Sequence, residues 1–300
     1  MARIGVDRLE FEYETIGDPA APVILLVMGL GMQLVAWPDA FCRMLAQKGF
    51  RVVRFDNRDI GLSSRLDHLG VPDIHKQALR YFLRLPLEAP YYIEDMARDT
   101  LGLMDALGIG RAHLVGASMG GMIAQNLAAA APERIASLVS VMSTTGSRKL
   151  PNPRPRALRA LLLPTPPAGD VEAAIQRMTQ LFRIIGSRTY PATEEYLREW
   201  IGRHVRRSFN PPGGARQLLA IAASGDRTEV VKRIKAPTLV LHGDEDPLLH
   251  VKCGQATARA INESGGRAEF EVVHGMGHDF PVELLPALAK RVATFCAAHP

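Results

Sequence analysis

The chain has 300 residues, 47% of them hydrophobic, enough for a large core, and the length suits one α/β domain with an insertion or two small domains. Lys and Arg number 36 against 31 Asp and Glu, a formal +5 that is too mild to point to nucleic acid or a membrane as partner. The longest apolar run, from Pro22 towards Met32, is too short and too Gly-broken to span a bilayer, and Cys42, Cys253 and Cys296 are too scattered for a disulfide framework or a zinc site.

In chain order, MARIGVDRLEFEYETIG alternates apolar and polar residues and reads as strand rather than signal peptide, and with reduced thiols this sets a cytoplasmic expectation. Val23 to Val27 is a continuous apolar run of the kind a strand covered on both faces needs. Met28-Gly29-Leu30-Gly31 makes a flexible turn, Trp37-Pro38 opens an amphipathic helix through Phe41, Met44 and Leu45, and Val52 to Phe55 is a strand ending in DNRDIGLSS. From Ile93 to Leu107 the apolar positions share one helical face, and Gly108 ends that helix. The sheet should be mixed at this first edge and parallel beyond it, with helices on both sides.

The stretch RAHLVGASMGG, Arg111 to Gly121, reads as strand, tight turn and helix. A serine in a strained turn, its Oγ projecting above the sheet, needs neighbours without side chains because helix and strand approach closely there; Gly116 and Gly120 supply that room. A helix starting right after Ser118 would aim backbone N–H groups at an oxyanion formed beside it. An ordinary Gly-rich connection fits the same residues, so the reading depends on finding a base.

After the strand Ile135 to Met142 the chain changes character. Residues 144–225 show no strand; the Pro-rich connectors PNPRP, PTPPAGD and NPPGG separate amphipathic helices, one N-capped by Asp170 and stopped by Gly186, another running from Thr193 through Val205. Such an insertion between two strands reads as a helical cap, giving core segments 1–143 and 226–300 around a cap of 144–225. The cap holds thirteen Lys/Arg against five Asp/Glu. This basicity reads first as solvated outer helix faces, and alternatively as an attraction for anionic substrates. His204 lies near the apolar stripe of its helix, either packed there or lining a pocket.

Strand character returns at Thr238 to Leu241, leading into HGDEDPLL, and at Phe270 to Val273, leading into HGMGHDFP; Leu284 to Cys296 closes the chain as a helix. A serine hydroxyl needs an adjacent base, itself held in one tautomer by a carboxylate. In open α/β sheets functional groups gather at the carboxyl ends of strands, and Ser118, Asp246 and His278 all fall there, in the order nucleophile, acid, histidine. His113, His242 and His274, in or beside strands, read as structural.

The pieces VMGLG, DNRDIGLSS, YYIEDMARDTLGLMDALGI, GASMGG, LVLHGDEDP and HGMGHDFP together make the chain resemble the α/β-hydrolase superfamily over nearly its whole length, and within it the capped, cofactor-free esterases of the aclacinomycin methylesterase type. The resemblance implies a mostly parallel eight-stranded sheet flanked by helices, with the cap inserted after strand 6. It implies Ser118 as nucleophile, His278 as general base and then acid, and Asp246 as the orienting carboxylate, favoured over Asp244 and Glu245 by the family's G-x-x-D-P pattern. The backbone N–H groups of Leu30 and Met119 would form the oxyanion hole. Met28 stands where the commoner form of this loop has His, and the Gly-Gly-Gly form is absent. Asp56, Arg58 and Ser63 match a family loop that braces the site, while Met32, Trp37 and His204 are pocket candidates, with the side chain of Met119 either there or in the core.

The expected activity is hydrolysis of small to medium, partly apolar carboxylic esters with no metal or organic cofactor. A serine at position 118 argues against haloalkane dehalogenase or epoxide hydrolase chemistry, for which the family uses Asp. A C–C bond hydrolase, perhydrolase or acyltransferase with the same triad is the first alternative, and a non-catalytic ligand-binding protein of the same fold the second. The expected partner is a small-molecule ester, with homodimerisation left open.

Overall fold

A computed structural model describes residues 1–167 and 169–300; Ala168, in the connector PTPPAGD, lies outside the described residues. The chain begins with an antiparallel hairpin, β1 (Ala2–Val6) and β2 (Leu9–Ile16), followed by β3 (Val23–Val27), α1 (Asp39–Gln47) and β4 (Arg51–Phe55). Two helices, α2 (Ile74–Phe82) and α3 (Ile93–Ala106), precede β5 (Ala112–Ala117), α4 (Met119–Ala130) and β6 (Ile135–Val141). Then come four helices, with no strand between them among the described residues: α5 (Pro155–Leu162), α6 (Val171–Ile185), α7 (Glu194–Arg207) and α8 (Pro211–Ser224). The one-turn α9 (Thr228–Val231), β7 (Thr238–Gly243), α10 (Lys252–Glu263), β8 (Ala268–Val273) and α11 (Leu285–Ala297) complete the chain.

The eight strands form one sheet in the order β1-β2-β4-β3-β5-β6-β7-β8, antiparallel at β1–β2 and β2–β4 and parallel from β4 onward. Strand β3 shows why the parallel part needs unbroken apolar runs. Val23, Leu25 and Val27 join the core under α3 and α4, whereas Ile24 and Leu26 join the opposite core with residues of α1 and α11. Alternate side chains are thus buried on opposite faces of the sheet. The three cysteines are buried and free.

Local chemistry sets the ends of the predicted helices. Asp170 caps α6 by accepting the Ala173 N–H, and Thr193 caps α7 by accepting that of Tyr196. In the turn after β5 helix and sheet approach closely. A Cβ on Gly116 would overlap the Gly120 carbonyl, and one on Gly120 would overlap the Val27 carbonyl, both backbone groups that cannot swing aside. Gly120→Ala should therefore destabilise the protein by about 3 kcal/mol, at the upper end of overpacking costs. The midpoint of urea unfolding checks this, and an unchanged midpoint would refute it.

Candidate active site

Ser118 sits at the turn from β5 into α4 with φ 55° and ψ −119°, a left-handed conformation that costs about 1–3 kcal/mol in a residue with a side chain. Backbone bonds hold it there. The Ser118 N–H donates to the Val141 carbonyl at the end of β6, and the Ser143 hydroxyl donates to the Ser118 carbonyl.

Loops after β7 and β8 bring the partners. His278 Nε2 lies 2.9 Å from Ser118 Oγ, and its Nδ1 lies 2.7 Å from Asp246 Oδ2. Asp246 Oδ1 accepts the N–H groups of Leu248 and Leu249, each at 2.8 Å, so both carboxylate oxygens are engaged. Burial alone would raise the Asp246 pKa; the attraction of His278 and its hydrogen bond, with His242 close by, outweigh it and hold the carboxyl well below its ordinary range. His242, buried beside it, has Nε2 2.7 Å from the Leu249 carbonyl and 3.6 Å from Asp246 Oδ2. The neighbouring acids face elsewhere. Asp244 pairs with His274 and the Gly275 N–H, while Glu245 accepts the N–H groups of Arg188 and Thr189.

The loop after β3 runs alongside. A Cβ on Gly29 would touch the Ser118 side chain at 3.2 Å, so the loop's backbone can lie against the serine. Neither the Leu30 nor the Met119 N–H finds an acceptor among the described residues, whereas the Gly31 N–H is taken by Gln217 Oε1 at 2.9 Å. Asn57 Nδ2 holds the Met28 carbonyl, and Asp56 Oδ1 accepts the Leu34 N–H.

Helices α6 to α8 close over this edge and touch the site at several points. The His278 N–H donates to the Ile185 carbonyl, and the Gly277 N–H donates to Ser187 Oγ, which itself donates to Asp279. Between these helices and the sheet lies a cavity of about 1100 Å³ whose lining includes Ser118, His278, Met28, Phe182, Trp200 and Phe280. Met32 and His204 line it as well. Trp37 does not. It is fully buried in the core, stacked on Phe41 and 5.2 Å from Phe280, because α1 packs its ring behind the cavity wall. The Met119 side chain also belongs to the core, leaving its N–H as its contribution to this edge.

The basic excursion is less solvated than its composition suggests. Arg216 of α8 is fully buried and pairs with Asp59 at 2.7 Å, and Arg207 of α7 pairs with Asp56 at 2.7 Å and also holds Gln33. Arg58 pairs with Asp99, and Ser63 bonds the Glu12 N–H and the Asp56 carbonyl. Two acids of DNRD are therefore answered by two arginines some 150 residues later in the chain. Sequence reasoning missed Gln217, Arg207 and Arg216. Their one available signal was the pair of acids in the strand-end loop DNRDIGLSS, where the single arginine, Arg58, cannot answer both.

His113 bonds Ser137 Oγ inside the sheet, and His204 Nε2 faces the Gly31 carbonyl at 3.4 Å. Burial pushes both imidazoles down from 6.5 to about 4. Below pH 6.5 the unfolded chain takes up protons that the folded rings refuse, so stability falls as pH drops towards 4, by about 3 kcal/mol per ring. Thermal midpoints across this window check the sign, and a flat profile would contradict it.

A profile of the alpha/beta hydrolase fold matches residues 22–284. Among curated proteins, rhodomycin D methylesterase DauP of Streptomyces sp. strain C5 is 29% identical over 313 aligned positions, covering 97% of this chain and 95% of that one. Among solved structures, the enol-lactonase of Burkholderia xenovorans LB400 superposes with a TM-score of 0.73 at 25% identity, covering 99% of this chain and 100% of that one. The meta-cleavage product hydrolase of Pseudomonas fluorescens IP01 superposes with a TM-score of 0.76 at 22% identity over 100% and 98% of the two chains, a likeness of fold. With the profile spanning most of its length, this chain belongs to the alpha/beta hydrolase fold family.

Proposed function

We propose that this protein is a serine hydrolase that cleaves partly apolar carboxylic esters through an acyl-enzyme. The reading rests above all on the unbroken path of hydrogen bonds from Ser118 through His278 to Asp246, at the wall of an apolar cavity. In this reading Ser118 Oγ attacks the ester carbonyl as its proton passes to His278 Nε2. The tetrahedral oxyanion is met by the unoccupied N–H groups of Leu30 and Met119, donors of a kind worth about 3 kcal/mol each to the transition state. His278 then protonates the leaving alcohol. Water enters and repeats the path to free the acid, while Asp246 stays ionised throughout and keeps the imidazole proton on Nδ1.

Residues 144–225 act as the cap between core segments 1–143 and 226–300, and the cap selects the substrate. A cavity of this size takes the upper end of the small-to-medium range. The methylesterase and enol-lactonase relatives favour a methyl ester or a lactone.

Stopped-flow hydrolysis of p-nitrophenyl esters of increasing acyl length tests the reading. It calls for a burst of p-nitrophenol equal to the enzyme concentration, followed by slower turnover. Cleavage of a vinylogous diketone without ester turnover would assign C–C hydrolase chemistry instead. Tight binding of apolar acids without any turnover would assign a ligand-binding protein.

A further inference from the structure

Helix α2 turns its apolar residues outward. Ile74, Gln77 and Ala78 are half-buried where the helix rests on α8, while Leu79, Phe82 and Leu83, on the opposite face at i, i+3 and i+4, are 60%, 68% and 61% exposed. Val71 before the helix and Leu85 after it extend the patch. An isolated surface leucine is ordinary, but a contiguous apolar face of this kind marks an interaction site.

Its charge is net positive. Residues 71–88 contain Lys76, Arg80 and Arg84 against two acids, Asp73, which caps α2 by accepting the Lys76 N–H, and Glu88 beyond the turn. Arg148 adds a fourth cation, its guanidinium 4.4 Å above the Tyr81 ring. Arg80 also donates to the Pro86 carbonyl and so shapes the turn that presents Leu83 and Leu85. The patch adjoins the opening of the cavity that holds Ser118, for the exposed Val71 and His75 also line that cavity. Leu163, half-exposed just past α5, lines it too.

We propose that α2 and its flanking turns anchor this face on an anionic lipid bilayer. Leu79, Phe82 and Leu83 enter the boundary between headgroups and acyl chains, and Lys76, Arg80 and Arg84 meet the anionic headgroups. A bilayer of this composition offers the apolar and negative layers that the face requires. A second copy of the chain packed on the same face about a two-fold axis would set these cations against themselves, outnumbering the two flanking acids, of which Asp73 is already engaged as the helix cap. The sequence expectation of no membrane partner came from the length of apolar runs, which bears on spanning, and from the mild charge of the whole chain, which averages over this face. Among the described residues no helix is long and apolar enough to cross a membrane, but lying at an interface needs only one such face. Anchoring itself does not depend on the esterase reading. Passage of a lipophilic ester from the bilayer to Ser118 does.

Flotation of the full chain with vesicles of phosphatidylcholine, alone or mixed with phosphatidylglycerol, tests the anchor. The chain should float with the anionic vesicles, be released by salt, and leave the neutral ones largely unbound. Phe82→Asp with Leu83→Asp, or Leu79→Asp alone, should abolish flotation. Lys76→Gln with Arg84→Gln should lower the partition coefficient about thirtyfold, from about 1 kcal/mol for each cation near an anionic surface. All these side chains are exposed, so circular dichroism and hydrolysis of soluble p-nitrophenyl acetate should not change. Equal binding to both vesicles, or none to either, would overturn the proposal. So would a concentration-dependent dimer that the Phe82→Asp, Leu83→Asp variant dissolves, which would give the face to a second copy. Flotation by a chain that hydrolyses no ester would leave the anchor standing and remove the esterase reading.

Discussion

Ser118→Ala should cut kcat toward p-nitrophenyl esters by about ten-thousand-fold or more, with the burst abolished and the fold intact. The size follows from the geometry, since the hydroxyl has one side-chain partner, His278 Nε2, and removing it leaves no other nucleophile within reach of that base. The backbone bonds that hold the turn, from the Ser118 N–H to Val141 and from Ser143 to the Ser118 carbonyl, survive the substitution. Residual rate should come from the Leu30 and Met119 donors and from binding alone. Activity close to wild type would move the nucleophile elsewhere and leave the strained turn unexplained.

Asp246→Asn should lower kcat by a similar factor, about ten-thousand-fold, through the tautomer of His278 rather than through loss of structure. Asp246 Oδ1 accepts two backbone N–H groups, so an asparagine will keep its carbonyl oxygen there. Its amide nitrogen is then forced to donate to His278 Nδ1, and the ring proton must move to Nε2. An Nε2–H facing Ser118 Oγ cannot accept the serine proton. KM should change little while kcat collapses. Wild-type turnover in this variant would shift the acid role to Asp244 or Glu245, but their bonds to His274 and to the Arg188–Thr189 backbone direct them away from His278.

Much of the fold is legible because its signals are local. The unbroken run Val23 to Val27 announces a strand covered on both faces, Asp170 and Thr193 announce helix starts, and Gly116 and Gly120 announce a close approach of helix and sheet. The opening alternation also carried a hidden turn: Asp7 at φ 52° reverses the chain between β1 and β2, making two strands. The outward-facing α2 is hard to read, because its apolar spacing is that of any core-facing helix and periodicity does not say which side meets solvent.

The sequence by itself determined the order of elements, the strand ends at which chemistry gathers, and the residue types able to perform it, since backbone sterics and hydrophobic period act over a few residues. The tertiary structure brings Asp246, the acid the resemblance favoured, against His278, and it alone decided which arginines leave water to answer Asp56 and Asp59 and that Trp37 backs the cavity wall instead of lining it. The physical reason is one of range. A carboxylate's partner, an arginine's desolvation and a ring's exposure depend on groups that folding brings from 32 to more than 150 residues away, and no local pattern in the chain encodes that meeting.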